Sequence, residues 1–182
     1  TRDLVEKVLR EKFDVVPIAP IHYTNPEIIM LTKPIKTLDD LKGKIMRSAG
    51  LSVAWFNALG IKTITLPAGE LISALQTRTI DGLEWADYVR NYLLKWYELA
   101  PYTIRPTPGI NLHSAAYYNS IIVFNRKVWE EFPEDVKEMI RIATELAYFR
   151  KSLEWYMSNR ELEKKWIEAV GKDKVIELTP ED

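Results

Sequence analysis

The stretch that decides the fold runs from Lys44 to Trp85 and reads KIMRSAGLSVAWFNALGIKTITLPAGELISALQTRTIDGLEW. Its short apolar runs KIMRS, IKTITL and IDGLEW alternate with two segments in which apolar residues recur at helical spacing. Strands and helices that alternate in this way are typical of an α/β domain with a largely parallel sheet. We therefore predict the α/β fold class for this part of the chain.

On the N-terminal side, the chain opens on a helical pattern and continues with two extended segments that contain prolines, VVPIAPIHY and EIIMLTKPI. The prolines disfavour regular pairing in a sheet interior, so the first segment is predicted to form strand ends and edges. A start inside a helix predicts a mature or truncated portion of a longer gene product. In TLDDLKG, Thr37 is expected to cap a short helix with Asp40 as its capping-box partner.

On the C-terminal side, ADYVRNYLLKWYELA predicts one aromatic-rich helix that ends before Pro101, and two extended segments follow. Pro133 opens a stretch in which residues 134–170 contain no glycine or proline, which predicts a helix of roughly 37 residues and about 55 Å. That length exceeds the width of a small lobe, so the helix is expected to be kinked, split or a brace that reaches beyond one lobe. Its predicted apolar stripe comprises Val136, Met139, Ile140, Ala143, Leu146 and Ala147.

Prolines near residue 34 and at Pro106 and Pro108 indicate two crossings between lobes. The predicted division is therefore a partial lobe I in residues 1–34 and an α/β lobe II in residues 35–107. Residues 108–182 would supply connecting strands, the long helix and a return towards lobe I.

Composition narrows the classes of function. Lys and Arg number 25 against 26 Asp and Glu, without a block of like charge, so a nucleic-acid-binding face is not indicated. There is no cysteine, which excludes disulfides, thiolate nucleophiles and cysteine zinc sites. The motifs typical of dinucleotide, phosphate, zinc-protease and serine-hydrolase sites are also absent from the sequence.

Arg47 is the strongest candidate for a binding residue. It follows Ile45 and Met46 at the end of a predicted strand, where parallel α/β sheets open onto their ligands. Its planar guanidinium matches the geometry of a carboxylate. An ion pair with a nearby acidic residue explains the position equally well, and the sequence pattern alone leaves both readings open.

Glu84 and Trp85 end a second predicted strand and would lie at the same edge if the two strands are parallel neighbours. The alternative is that Trp85 is part of the core and Glu84 is solvated. Tyr117 and Asn119 are further candidates, because one face of their extended segment could line a cleft. A second set of aromatic residues is predicted to pack in the core: Trp55, Phe56, Trp96 and Tyr97.

Three segments, LDDLKGKIMR, ALGIKTITLPAGELISALQTRTIDGLEW and IIVFNRKVWEEFPEDVKEMIRIA, resemble the solute-binding proteins of tripartite ATP-independent periplasmic (TRAP) transporters. The match runs in register from about Thr37 to Ala143. The resemblance implies a periplasmic-binding-protein-like clamshell with one complete lobe, part of the other, and a long helix across both. It also implies that an N-terminal part of the family fold is missing here.

The resemblance further implies a non-catalytic, extracytoplasmic protein that closes on a small organic acid and delivers it to a membrane permease. In it, Arg47 matches the family arginine that pairs with the ligand carboxylate. Glu84 and Trp85 look like the subgroup that binds 2-oxo or 2-hydroxy monocarboxylates. No cofactor is predicted.

Some members of that subgroup hold a cation with this Glu and the Trp carbonyl. The present chain departs from the subgroup at Thr24, Asn25 and Ala115, which leaves a bridging cation open.

Two other functions remain open at this point. Glu84 could serve as the acid or base of an enzyme that acts on a small carboxylate. Alternatively, the chain could be a structural module that binds no ligand by itself and associates through an exposed surface, for example as a homodimer.

Overall fold

The computed structural model describes residues 2–23, 28–50, 52–105 and 119–177. Its helices are α1 (Arg2–Phe13), α2 (Ser52–Ala58), α3 (Ala68–Gln76), α4 (Tyr88–Leu93), α5 (Arg126–Glu131) and α6 (Glu134–Val170). Its strands are β1 (Val15–Tyr23), β2 (Ile29–Leu31), β3 (Ile45–Arg47), β4 (Lys62–Ile64), β5 (Gly82–Glu84), β6 (Tyr102–Arg105), β7 (Asn119–Asn125) and β8 (Val175–Glu177). The predicted α/β class is confirmed.

The chain divides into two compact units, each built from two separate segments. Unit 1 comprises Thr1–Thr24 and Tyr118–Met157, and unit 2 comprises Asn25–Tyr117 and Ser158–Asp182. The helix α6 is continuous over 37 residues and contributes to both units. Of the arrangements expected for the long helix, the brace that extends beyond one lobe is confirmed.

Unit 1 is a small assembly around one strand pair. β1 pairs antiparallel with β7, and the register shifts between Pro17, Pro20 and Tyr23. These shifts agree with the expectation that the proline-containing segment cannot form a regular ladder. The buried apolar side chains that the structure describes in this unit are Val16, Pro17 and Trp129.

Unit 2 contains a six-stranded sheet in the order β4-β3-β5-β2-β6-β8. β4, β3 and β5 run parallel to one another, as do β6 and β8, whereas β2 is antiparallel to both of its neighbours. The largely parallel sheet is thus confirmed with one reversed strand in its middle. Helix α3 packs on one face of the sheet through Leu71 and Leu75, and α2 packs on the other through Phe56.

The predicted lobe boundaries differ from these units. Residues 29–31 form β2, an interior strand that pairs with β5 and β6, so the division does not fall near Pro34. The C-terminal strand β8 pairs with β6, so it joins the sheet of the predicted lobe II rather than returning towards lobe I. The predicted crossing at Pro106 and Pro108 lies outside the described residues.

The single helix predicted after Ala86 needs correction. The segment after Ala86 is two helical pieces, because Lys95 takes a left-handed backbone (φ 56°) between α4 and a 3-10 helix at Trp96–Glu98. The short helix predicted after Thr37 is confirmed as a 3-10 helix at Leu38–Leu41, and its capping-box partner Asp40 accepts hydrogen bonds from the backbone N–H groups of Lys36 and Thr37. These bonds lower the pKa of Asp40.

The predicted apolar stripe of α6 does not form one buried face. Thr144 is buried and Ile140 is partly buried, whereas Met139 and Leu146 are more than half exposed. The periodic pattern identified the helix correctly but mixed side chains from two of its faces.

Gly82 begins β5, which lies between β3 and β2. A Cβ atom at this position would overlap the carbonyl oxygen of Met30 and would lie 2.9 Å from Cε of Met46. The absence of a side chain therefore permits the close approach of three strands.

We expect Gly82→Ala to lower the free energy of unfolding by about 3 kcal/mol, because the backbone of β2 cannot yield to the added methyl group. Urea denaturation followed by circular dichroism measures the change. Gly69→Ala in α3 is the matched control, since nothing lies within 4 Å of its added Cβ, and it should change stability by no more than about 1 kcal/mol. Equal effects of the two substitutions would contradict the packing described here.

Candidate functional site

The site forms where β3 and β5 end side by side. The parallel register pairs Met46 with Gly82 and Arg47 with Leu83, so Arg47 and Glu84 reach the carboxyl edge of the sheet together. The sequence analysis expected these two residues at the same edge if their strands were parallel neighbours. Arg47 and Glu84 are both buried, with 8% and 3% of their surfaces exposed.

Two backbone carbonyls and one aromatic ring orient the guanidinium of Arg47. Its Nε donates a hydrogen bond to the carbonyl of Leu66 at 3.2 Å, and its Nη1 donates to the carbonyl of Glu84 at 2.9 Å. Its Cζ lies 4.3 Å from the centre of the Trp85 ring, within the range of a cation–π interaction. These three contacts restrict the direction of the guanidinium.

The carboxylate of Glu84 accepts hydrogen bonds from two buried hydroxyl groups. Ser48 donates to Oε2 at 2.9 Å, and Ser52 donates to Oε1 at 3.1 Å. Ser48 directly follows β3 and Ser52 begins α2, so both donors come from the connection after the strand that carries Arg47. These bonds tie the end of β5 to that connection and compensate for the burial of the carboxylate.

The Ser48 and Ser52 contacts were not anticipated from the sequence. The available signal was the RSAGLS segment, in which two hydroxyl residues flank the turn after a strand that carries a candidate binding residue. Without the pairing of β3 with β5, nothing connected that turn with Glu84, 32 residues further along the chain from Ser52.

Trp85 is partly buried and forms an edge-to-face contact with Trp96, with 6.3 Å between ring centres. Trp85 therefore contacts the core on one side and the guanidinium of Arg47 on the other. The alternative prediction that Glu84 is solvated is wrong, because Glu84 is buried. Phe56 and Trp96 are buried in the core, as expected.

The other candidate residues are not brought to this edge by the described structure. Tyr117, Thr24, Asn25 and Ala115 lie outside the described residues. Asn119 begins β7 in unit 1, where its backbone pairs with Tyr23. Their roles stay predictions.

Within the described ranges, no three His, Cys, Asp or Glu side chains converge to hold a metal ion. The sequence analysis leaves a bridging cation at Glu84 open, and it stays open. In the same part of the chain, no helix is both long and apolar enough to span a membrane.

Comparison with known proteins agrees with this fold. The family model of the bacterial extracellular solute-binding proteins, family 7, matches residues 6–182. The chain therefore belongs to that family, and the resemblance found in the sequence is confirmed.

Two curated relatives are named as periplasmic binding proteins. A monocarboxylate 2-oxoacid-binding periplasmic protein of Nostoc sp. is 30% identical over 115 residues, which are 62% of this chain and 29% of the relative. A 2,3-diketo-L-gulonate-binding periplasmic protein of Escherichia coli is 28% identical over 123 residues, which are 66% of this chain and 35% of the relative. The matched stretches thus cover about a third of the length of these relatives. The expected extracytoplasmic location is confirmed.

The fold is also that of a solved TRAP periplasmic solute-binding protein from Colwellia psychrerythraea, whose structure contains bound calcium and pyruvate. The two structures superpose with a TM-score of 0.81 at 22% identity, over 97% of this chain and 52% of the other. At this identity the comparison supports the shared fold.

We expect Ser48→Ala to lower the free energy of unfolding by about 1–3 kcal/mol, because it leaves a buried carboxylate with one donor fewer. Ser52→Ala should act in the same direction. Chemical denaturation measures both, with Ser73→Ala on the exposed face of α3 as the control. If Ser48→Ala changed the free energy of unfolding as little as the control does, the hydrogen bond from Ser48 would not stabilise the buried Glu84.

Proposed function

We propose that this chain is part of an extracytoplasmic solute-binding protein of a TRAP transporter, which binds a small organic acid and delivers it to a membrane permease. The observation that carries the proposal is the buried guanidinium of Arg47, oriented at the carboxyl edge of the sheet by two backbone carbonyls and the Trp85 ring. Family membership and the names of the relatives support the ligand class.

Arg47 would anchor the ligand through its carboxylate. A guanidinium donates parallel hydrogen bonds to both oxygens of a carboxylate, and a charge-assisted pair of this kind strengthens where water is excluded. The contacts to Leu66 and Glu84 restrict the side chain before the ligand arrives, so little conformational entropy remains to be lost on binding.

Glu84 and Trp85 would complete the site from the neighbouring strand. Trp85 would maintain the orientation of Arg47 through the ring contact. The carboxylate of Glu84 would accept a hydrogen bond from a ligand hydroxyl, or would coordinate a cation that accompanies the ligand. Tyr117 and Asn119 remain proposed contacts, because one face of their extended segment could line a cleft.

The proposal is for binding without turnover. Glu84 is the residue that an enzyme would use as its acid or base. In this structure its two carboxylate oxygens accept hydrogen bonds from buried serine hydroxyls, and its backbone carbonyl accepts one from Arg47. The curated relatives are named as binding proteins, which supports the same conclusion.

We expect Arg47→Ala to weaken carboxylate binding at least 100-fold, since the ligand loses a bidentate, charge-assisted contact of about 3 kcal/mol. The test first screens pyruvate, D-glucuronate and 2,3-diketo-L-gulonate by native mass spectrometry. The acid that binds is then titrated by calorimetry. Arg47→Lys should also bind poorly, because an ammonium lacks the planar fork.

Lys62→Ala is the control for this test, because it removes an exposed positive charge from β4 of the same sheet and should leave affinity unchanged. Circular dichroism must show that each variant is folded. If Arg47→Ala bound the acid with wild-type affinity, Arg47 would not anchor the ligand. If mass spectrometry found that the acid is converted to a product during incubation, the alternative function as an enzyme would be supported instead.

A further inference from the structure

The connection between β4 and α3 consists of Thr65, Leu66 and Pro67 and lies beside the end of β3. The carbonyl of Leu66 accepts the hydrogen bond from Nε of Arg47 at 3.2 Å. The hydroxyl of Thr65, the residue before Leu66, donates to the carbonyl of Ser48 at 3.0 Å. Because Ser48 directly follows Arg47, two hydrogen bonds of opposite direction join these neighbouring pairs of residues.

The bond from Thr65 forms where the parallel ladder between β3 and β4 comes to its end. The N–H of Ser48 donates to the carbonyl of Ile64 at 3.1 Å, in the manner of a parallel ladder. If the ladder continued, the backbone N–H of Leu66 would donate to the carbonyl of Ser48. Here the hydroxyl of Thr65 donates to that carbonyl, and the chain turns towards Pro67, the residue that precedes α3. The side chain of Thr65 thus closes the ladder at the point where the backbone leaves it.

On the other side of β3, the same two residues are bonded to Glu84. Nη1 of Arg47 donates to the backbone carbonyl of Glu84, and the hydroxyl of Ser48 donates to its carboxylate, both at 2.9 Å. The guanidinium therefore lies between two carbonyl acceptors, one on Leu66 and one on Glu84. Its direction depends on the position of both of them.

The carbonyl of Leu66 is held through its neighbours in the chain. The Leu66 side chain packs against the core of unit 2, but this contact does not by itself fix the direction of the carbonyl. Pro67 is anchored because its own carbonyl accepts a hydrogen bond from the N–H of Glu70 at 3.1 Å. Thr65 is anchored by its bond to Ser48, although it is itself exposed. Rotation of the Leu66 carbonyl would require movement of these anchored residues.

We propose, on the basis of the function proposed above, that Thr65 is a positioning residue of the carboxylate site. Its hydroxyl holds the Leu66 carbonyl in place, and that carbonyl holds the guanidinium of Arg47 in the direction in which it receives the ligand. Thr65 acts through Arg47 and not by contact with the ligand.

Thr65→Val tests the proposal, because it removes the hydrogen-bond donor and keeps the shape of the side chain. In NMR spectra of the unliganded, nitrogen-labelled chain, the Nε–H signal of Arg47 is identified by its loss in Arg47→Lys. Exchange of this proton with solvent should become about threefold faster or more in Thr65→Val, because its acceptor on Leu66 is held less firmly. Thr65→Ser keeps a hydroxyl and should restore the wild-type rate.

Thr77→Val is the matched control. Thr77 is also exposed, and its hydroxyl donates to the backbone carbonyl of Ser73 at 2.8 Å, at the end of α3. This variant should lower the urea midpoint about as much as Thr65→Val does. It should leave the exchange of the Arg47 Nε–H and the affinity for ligand unchanged, which separates a loss of stability from a loss of positioning.

Calorimetric titration with pyruvate, D-glucuronate and 2,3-diketo-L-gulonate measures the effect on binding. Thr65→Val should weaken the binding of the acid that the wild type accepts by about three- to tenfold, and Thr65→Ser should bind it as the wild type does. In the Arg47→Lys background, Thr65→Val should cause no further weakening, because its effect passes through Arg47.

Unchanged exchange of the Arg47 Nε–H in Thr65→Val would overturn the proposal, as would wild-type affinity in that variant. An equal loss of affinity in Thr77→Val, or a full effect of Thr65→Val in the Arg47→Lys background, would also overturn it. If the wild type bound none of the three acids, the proposed function would be contradicted, and the exchange rates would still decide whether Thr65 positions Arg47.

Discussion

The close approach of three strands at Gly82 is the constraint on which the binding edge depends. Because this position has no side chain, the backbone of β2 and the side chain of Met46 can occupy the space beside β5. The resulting register aligns β5 with β3 residue by residue. Arg47 and Glu84 lie next to each other because of that alignment, although 37 positions separate them in the sequence.

The two charged residues at this edge are stabilised by different means. The guanidinium of Arg47 is held by carbonyl groups and an aromatic ring, whereas the carboxylate of Glu84 receives two hydroxyl donors. Buried charges without such bonds would be costly, so the hydrogen bonds explain how both side chains are retained at less than one tenth exposure. In the proposed function, the same bonds would keep both groups in place for the ligand.

The sequence predicted the strands and helices from Lys44 to Glu84 because each apolar run there is short and bounded by glycine, proline or polar residues. It also identified Arg47, Glu84 and Trp85 as residues at strand ends. The reversed strand β2 could not be predicted, since its pairing partners are distant in sequence and its apolar pattern does not specify direction. The serine donors to Glu84 were missed for the same reason, and the break at Lys95 was missed because its neighbours continue a helical pattern.

The central claim is that Arg47 is the residue that receives the carboxylate of the ligand. A crystal structure of the protein with pyruvate tests it most directly. The account predicts that the pyruvate carboxylate lies within hydrogen-bonding distance of the Arg47 guanidinium, while the bonds from Arg47 to the carbonyls of Leu66 and Glu84 are retained. Pyruvate bound through a different cationic group, with Arg47 in contact with protein atoms alone, would contradict it.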